Sequence, residues 1–531
     1  MATESSDRMT GLGARGSLAD LDGSTTDVLI VGGGINGSAS AQHLAAEGYR
    51  VLLVEKGDYA SAASSRSSRL LHCGLRYLAP ERSPLEFLTR PSRLKTALGM
   101  AVGSLRARRE FLAATPERLR PLDMAIPIYR GDAYPGWMVD AGAALLGALN
   151  AGGPPIRYQR LAPGKAAAAH PLVAIVRDQP DLASVFSFRD YQFDWPERLC
   201  FDALLRASDL GARVRNYTAV TALESLEGGH WRATLEDQLG SGESAVVEAQ
   251  VLLNLTGVWI DGLNQKAAPE SPPSRKIVAV KGVHIAVRLP DRYRGYGIAG
   301  LNREHEHFFC LPFGDLHYIG PTETVYEGDI EHVHPDEEDV RFLLDEVNFM
   351  LPELALRRQD VALAWAGARP ITFDPTRAKG RRTPANVFHE LGGEGMGNAL
   401  TVTWGWIMHH RTTAQRMVQR VRRLHAPDGP RRPVTYAAVP FPENTNTLPL
   451  VPEVPEVTTG VLRHLAATEQ PAQLVDLLFR RAGVSWRARL SRDSAQNAAD
   501  AVADILGWDA ERVRQEVDNY LDYVRVQHLQ D

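Results

Sequence analysis

The chain has only three cysteines in 531 residues, Cys73, Cys200 and Cys310, and no two are spaced as a metal finger or a redox pair. A disulfide framework is therefore not expected, and a reducing compartment, the cytoplasm, suits the chain best. No window holds the roughly 18 consecutive apolar residues that a membrane-spanning helix requires. Charge of one sign is not in excess either. The 59 Lys and Arg stand against 64 Asp and Glu, a balance that excludes a general nucleic-acid binder. The first 26 residues are small and polar and lack the apolar centre of a signal peptide, so residues 1–26 are expected to form a mobile tail.

What is present is a chain too long for one simple core, suited to two or three domains. Its strongest local signal is "DVLIVGGGINGSASAQHLAAEGYRVLLVEKGD", Asp27 to Asp58. Val28 to Val31 read as a buried parallel strand. Gly32, Gly34 and Gly37 follow in G-x-G-x-x-G spacing, then a helix that Gly48 ends, then a second strand closed by Glu55. Gly32 permits the tight turn, Gly34 lets backbone approach a pyrophosphate, and Gly37 lets helix and strand pack closely. The helix N-terminus supplies free N–H groups and the positive end of a dipole. Glu55 can accept hydrogen bonds from ribose hydroxyls and would repel a 2′-phosphate, which disfavours NADP. The glycine unit alone leaves FAD and NAD both open. The serine-rich segment "KGDYASAASSRSSRLLHCGLRYL", Lys56 to Leu78, offers small hydroxyl side chains beside a pyrophosphate and a close-packed chain for a flat ring, which suits extended FAD.

Gly32 to Gly37 with Ile35 and Asn36, then Ser64-Ser65, then the run Ser67 to Leu78 together resemble FAD-dependent glycerol-3-phosphate dehydrogenase. That family sits among the D-amino-acid-oxidase-like and glycine-oxidase-like flavoproteins. The resemblance continues, in order, through "NLTGVWID" (Asn254 to Asp261), "KGVHIAV" (Lys281 to Val287), "LPFGDLHYIGPTETVYEGD" (Leu311 to Asp329) and "WAGARPI" (Trp365 to Ile371). It covers about residues 27 to 430. It implies an α/β chain: a Rossmann-like FAD-binding domain, a β-rich substrate domain and a C-terminal helical domain. It also implies oxidation of a secondary alcohol to a ketone by hydride transfer to flavin N5. In the family the alcohol is glycerol 3-phosphate, and electrons pass to quinone or dioxygen.

The same resemblance assigns roles. Gly32, Gly34, Ile35, Asn36, Gly37, Glu55 and Lys56 would hold the dinucleotide. Ser64, Ser65, Ser68, Arg69, His72 and Gly74 would follow it along the loop. Gly257, Gly405, Trp406 and Ile407 would return to it from later strands. His284 matches the family's active-site histidine, and a neutral imidazole suits proton abstraction. Arg369 offers a fixed fork for phosphate, carboxylate or alkoxide. Arg76 and Tyr77 match residues lining the substrate pocket, and Arg382 matches a phosphate-binding arginine.

One stretch departs from the family pattern. Where the family has Gly-Gly-Lys-Leu-Thr-Thr-x-Arg, this chain reads Trp404-Gly405-Trp406-Ile407-Met408-His409-His410-Arg411. Trp406 replaces the lysine and cannot carry its charge. The substrate's anionic group is then held by Arg369 and Arg382, or the substrate is a larger or less charged polyol derivative. A protonated His409 or His410 is a further way to restore the cation. The histidine pair is not read as a metal site, because neighbours on a helix point about 100° apart and no ligand cluster accompanies them. Cys73 stands where the family has glycine, with inert packing, oxidation or a covalent link as its options.

The FAD domain is expected to gather residues 27–105, 190–275 and 385–430. The substrate domain is expected at 106–189 and 276–384, and helices at 431–531. The segment Pro80 to Arg109 mixes apolar and basic residues and suits either a peripheral membrane contact or a solvated helix. Quinone or dioxygen as acceptor, and a homodimer, are compatible with this reading. An amine or amino-acid oxidase on the same scaffold, and a flavin-binding protein without catalysis, are the competing functions.

Overall fold

The computed structural model describes residues 11–13, 15–78, 87, 90–132, 134–376, 386–442 and 447–530. The chain begins with β1 (Thr25–Val31), α1 (Ile35–Ala46), β2 (Val51–Val54), β3 (Leu70–Leu71), α2 (Pro91–Ala114), β4 (Leu119–Tyr129) and α3 (Gly136–Leu149). It continues through β5 (Gln159–Leu161), α4 (Pro163–Ala169), β6 (Leu182–Phe193), α5 (Pro196–Asp209), β7 (Arg213–Arg215), β8 (Thr218–Ser225), β9 (Trp231–Asp237), β10 (Ser244–Asn254) and α6 (Ile260–Ala267). Then come β11 (Ile277–Val287), β12 (Gly297–Leu301), β13 (His307–Phe313), β14 (Leu316–Gly320), β15 (Thr324–Val325), α7 (Glu337–Met350) and β16 (Val361–Thr372). The last elements are β17 (Val387–Glu390), β18 (Ala399–Thr403), α8 (His410–Leu424), α9 (Thr459–Thr468), α10 (Arg492–Leu506) and α11 (Ala510–His528).

Two sheets organise these elements. The first has the order β17-β18-β10-β1-β2-β7, with β18, β10, β1, β2 and β7 parallel. Their near-continuous Val, Leu and Ile runs are buried on both faces, as parallel strands between helices require. The second runs β15-β11-β14-β13-β12-β4-β6-β3, with β16 on β11 and β5 on β6. It is mostly antiparallel, and its inward face carries the aromatic residues of the site. This is the expected α/β architecture.

Three expectations need correction. The mobile tail does not extend to residue 26. Leu12 donates its N–H to Thr468 O at 2.8 Å, Arg15 pairs with Asp237, and Ser17 caps the turn Leu18–Leu21. Leu12, Leu18 and Leu21 are buried, so apolar anchors fasten a segment whose composition is otherwise that of a coil. The boundaries at 105/106 and 189/190 fall inside α2 and β6, because one helix and one long strand run through both regions. The C-terminal helices are not a separate core. Val461, Leu477, Trp486 and Val517 share one apolar cluster with Leu122, Tyr318 and Trp365 of the second sheet. Buried Asp58, in the loop after β2, binds Arg480 and Arg481 and ties those helices to the glycine-rich end of the chain.

Among the described residues no helix is long and apolar enough to cross a membrane. The three cysteines are free and buried.

Candidate active site

The turn between β1 and α1 is shaped by contact at two glycines. Gly32 has φ +113°, and a side chain there would meet Leu255 O at 2.6 Å. A methyl at Gly37 would overlap Gly32 O. The close approach leaves the N-terminus of α1 open at Gly34, Ile35 and Asn36. Ser64 Oγ accepts from Ile35 N at 2.9 Å and so reaches this helix end. Glu55 closes β2, and its carboxylate accepts from Gly33 N at 2.7 Å and Gly57 N at 2.9 Å. A carboxylate has about four acceptor positions, so two remain for ribose hydroxyls. Burial pushes its carboxyl group up from the ordinary value, against those two N–H bonds. Gly257, at φ +65°, starts the turn Gly257–Trp259 just beyond β10, beside the strand end that crosses Gly32.

A second group of residues lies on one face of the β11–β16 pair. The register sets His284 opposite Trp365, Gly282 opposite Gly367, and Val280 opposite Arg369. Strand alternation puts these six on the same face. The His284 ring is fully enclosed, stacked on Trp365 with centroids 5.0 Å apart. Its Nε2 lies 3.1 Å from Ser68 Oγ, while Nδ1 has no partner among the described residues. Burial, then the Arg369 and Arg69 charges, hold its pKa well below the ordinary imidazole value, so the ring is neutral at pH 7. Gly282 has no side chain because the Arg369 guanidinium occupies that space. Arg369 Nη1 is buried without a hydrogen-bond partner, and among the described residues no carboxylate pairs with it. Desolvation lowers its pKa to about 10, which leaves it charged.

Trp404 and Trp406 border this face. Trp404 packs with Val278, Val280 and Ile371, and its backbone N–H donates to Pro370 O at 2.9 Å. It has φ +55°, strained for a bulky side chain. Asn386 Nδ2 donates to Trp404 O at 3.0 Å and so clamps the strained peptide from its other side. Trp406 meets Trp404 and His72 edge to face at 5.1 and 5.3 Å, and the Arg76 guanidinium lies 5.0 Å from its ring centroid. Tyr77 Oη is 3.4 Å from His72 Nε2. His72, Arg76, Tyr77 and Trp406 thus form one cluster. The turn Ile407–His409 leads from it into α8.

A model of the FAD-dependent oxidoreductase family matches residues 27–411. The chain belongs to that family. It is 29% identical over 413 residues to a glycerol-3-phosphate dehydrogenase of Synechocystis sp., covering 76% of this chain and 71% of the relative. It is 30% identical over 410 residues to the D-erythritol 1-phosphate dehydrogenase of Brucella abortus, covering 75% and 74%. The solved Bacillus halodurans glycerol-3-phosphate dehydrogenase with FAD superposes with TM-score 0.71 at 19% identity, covering 97% of this chain and 98% of that one.

As a family member, the protein is an FAD-dependent oxidoreductase, and the open α1 terminus, the half-used Glu55 carboxylate and the glycine contact at Gly37 fit an FAD dinucleotide. Gly37→Ala is expected to lose flavin: forced overpacking costs about 1–3 kcal/mol, roughly one to two orders of magnitude in retention. The flavin-to-protein absorbance ratio of the purified variant measures it, and an unchanged ratio would refute the cradle.

Other FAD-binding expectations fare differently. Lys56 is taken by Glu331 at 2.5 Å and lies 4.1 Å over the Trp259 ring, on the rim. Ser65 spends its hydroxyl on Ala62 O within its own turn. Arg69 is sandwiched between Phe313 and Trp486, each 4.6 Å away, and donates to Asp194 O. It clamps the loop to the C-terminal helices, a role no local pattern encodes. Gly74 packs against α2 at Ala101 and Ser104. Arg382 lies outside the described residues. Burial pushes the Cys73 thiol well above its ordinary value, which makes it a packing residue rather than a nucleophile. Burial lowers His409 to about 4 and His410 to about 3, so neither replaces the missing lysine cation at pH 7. Arg411 is held between the Phe111 and Tyr436 rings at 4.0 and 4.2 Å. His72, expected beside the flavin, packs in the Arg76–Tyr77–Trp406 cluster.

Proposed function

We propose that the protein oxidises a secondary hydroxyl of a polyol phosphate longer than glycerol 3-phosphate to the ketone. The carrying observation is Arg369: a charged guanidinium with an unpartnered Nη1, on the same sheet face as neutral His284. A guanidinium whose Nη1 is buried, with no carboxylate on it among the described residues, awaits an anion. Bound FAD supplies the two-electron acceptor. In this reading Arg369 holds the anionic end, and Arg76 assists from the Trp406 side. With Nε2–H given to Ser68 Oγ, His284 Nδ1 accepts the hydroxyl proton. The Trp404–Trp406 wall replaces a point charge by apolar surface, which suits a longer carbon chain. The Brucella relative, by its name, acts on such a compound, D-erythritol 1-phosphate. Quinone or dioxygen reoxidises the enzyme, and peroxide yield against quinol yield distinguishes them.

Arginine's fork also matches a carboxylate, so an amino-acid substrate is the second reading. An anaerobic flavin-bleaching screen across polyol phosphates, free polyols, hydroxy acids and amino acids decides between them. Bleaching by polyol phosphates alone is expected. Bleaching by an amino acid, or by nothing, would overturn the proposal.

Trp406→Lys is expected to shift preference toward glycerol 3-phosphate. A charge-assisted hydrogen bond contributes about 1.5–3 kcal/mol, a roughly ten- to hundredfold change in the kcat/KM ratio of glycerol 3-phosphate to erythritol phosphate. An unchanged ratio would remove Trp406 from the determinants of specificity.

A further inference from the structure

The plane of the His284 ring is set by packing. Trp365 stacks on it at 5.0 Å and Phe309 at 6.0 Å between ring centroids. Gly320 closes its edge, where a methyl would meet His284 Cδ2 at 2.9 Å. Such contacts are blind to a half-turn of the ring, which exchanges Nδ1 with Cδ2 and Nε2 with Cε1 in nearly the same volume. They are equally blind to which nitrogen carries the proton. The contact of Nε2 with Ser68 Oγ, at 3.1 Å, is the one hydrogen bond of the ring among the described residues. Orientation and tautomer therefore rest on where Ser68 stands.

Ser68 belongs to no helix or strand, and it precedes β3 in the serine-rich loop. Its backbone is held from the second sheet. Tyr318 Oη donates to Ser68 O at 2.8 Å, and Gln192 Nε2 donates to Tyr318 Oη at 3.1 Å. Register explains why both side chains reach it. Tyr318 of β14 stands opposite Ala286, which shares a face of β11 with His284 two residues earlier. Gln192 of β6 stands opposite Leu70, the first residue of β3 and two past Ser68. The Tyr318 ring is fully enclosed and meets Phe309 and Phe313 edge to face at 5.5 and 6.2 Å. Burial raises its pKa, so the phenol keeps the one proton that it gives to Ser68. Its oxygen accepts from an amide that can only donate there, so the chain runs in one sense: amide to phenol, phenol to carbonyl.

We propose that Tyr318 is a positioning residue: by fixing Ser68 it fixes the orientation and the tautomer of His284, with Gln192 holding Tyr318 in turn. Only the kinetic consequence rests on the reading of His284 as the proton acceptor. In the selected tautomer Nε2–H donates to Ser68 Oγ and Nδ1 keeps its lone pair. When Nδ1 takes the hydroxyl proton the ring becomes cationic, and the bond from Nε2–H to Ser68 strengthens. Tyr318 therefore acts on the rate of reduction rather than on the hold of the substrate. Three segments remote in sequence meet at this one nitrogen: the loop before β3, β14 and β6.

The test compares Tyr318→Phe, Ser68→Ala and the double variant, each flavin-loaded. Phenylalanine keeps the ring contacts and removes one oxygen. With D-erythritol 1-phosphate as reductant in anaerobic stopped flow, Tyr318→Phe should lower the limiting reduction rate about two- to tenfold, the range of one net hydrogen bond. The half-saturating concentration should not change. Ser68→Ala should lower the rate further, and the double variant should be no slower than Ser68→Ala, because Tyr318 acts through that hydroxyl. Nitrogen-15 spectra of histidine-labelled protein read the ring directly, with His284 assigned by its loss in His284→Ala. A single Nε2–H tautomer is expected in the parent and a mixture in both single variants. These spectra need no substrate, so they test the relay independently of the substrate reading. Should Tyr318→Phe fold poorly, Tyr318→Phe with Gln192→Met removes donor and acceptor together and should give the same mixture. A mixture already present in the parent, a tautomer unchanged in both single variants, or rate losses that multiply in the double variant would each overturn the proposal. A shifted tautomer together with normal reduction in His284→Ala would uphold the relay and remove His284 as the base.

Discussion

His284→Ala is expected to keep its flavin and to slow flavin reduction by substrate about a hundred- to ten-thousandfold, the usual contribution of a general base. The ring is packed on Trp365 with Gly320 at its edge, on the second sheet, so its loss leaves the glycine cradle of the first sheet intact. Stopped-flow bleaching under anaerobic conditions measures the rate, and the absorbance ratio checks retention. The pH dependence carries a definite sign. Burial depresses the folded-state pKa, so the ring is neutral at and above the ordinary imidazole value and gains a proton only on acidification below it. The acid limb of the reduction rate therefore lies below about pH 6.5. The stability that comes from burying a neutral ring is lost in the same direction, as pH falls. His72→Ala is the matched comparison, because His72 Nδ1 is also buried without a partner among the described residues, beside Tyr77 and Trp406. Normal reduction in His284→Ala with arrest in His72→Ala would transfer the proton acceptor to the loop and leave His284 as a core residue.

Legibility in the sequence followed the range of the interactions involved. The β1–α1–β2 unit was readable because its contacts are local: Gly37 against Gly32, and Glu55 against Gly33, all within one supersecondary motif. His284 and Arg369 were readable only through resemblance, since a register of antiparallel strands 85 positions apart places them on one face. The packing of Arg69 was not readable because its neighbours, Phe313 and Trp486, come from two remote segments. The charge state of the histidine pair was not readable for a different reason. Spacing showed that His409 and His410 begin a helix, but their charge is set by burial that no spacing reveals. The N-terminal segment looked like coil because three leucines among polar residues do not form a periodic pattern. Only the surfaces that they cover give them meaning.

Arg369→Ala is expected to lower kcat/KM for phosphorylated substrates roughly 30- to 1000-fold, the equivalent of about 2–4 kcal/mol. The loss should appear mainly in KM, since the anionic end is held equally before and during the reaction. Any residual flavin reduction by a free polyol, which has no anionic end, should be the same in variant and parent. Arg369→Lys restores charge without the planar fork, so it should recover part of the loss and no more. Stability separates this reading from a structural ion pair. Breaking a buried pair strands a charge and costs about 3–5 kcal/mol. Among the described residues Arg369 has no carboxylate to strand, and its removal relieves the desolvation that already lowers its pKa to about 10. The space that it leaves lies over Gly282. The Tm of Arg369→Ala should therefore hold or rise while affinity collapses. A Tm that falls with no change in KM would make Arg369 a structural residue, and the anion would then have to be held elsewhere.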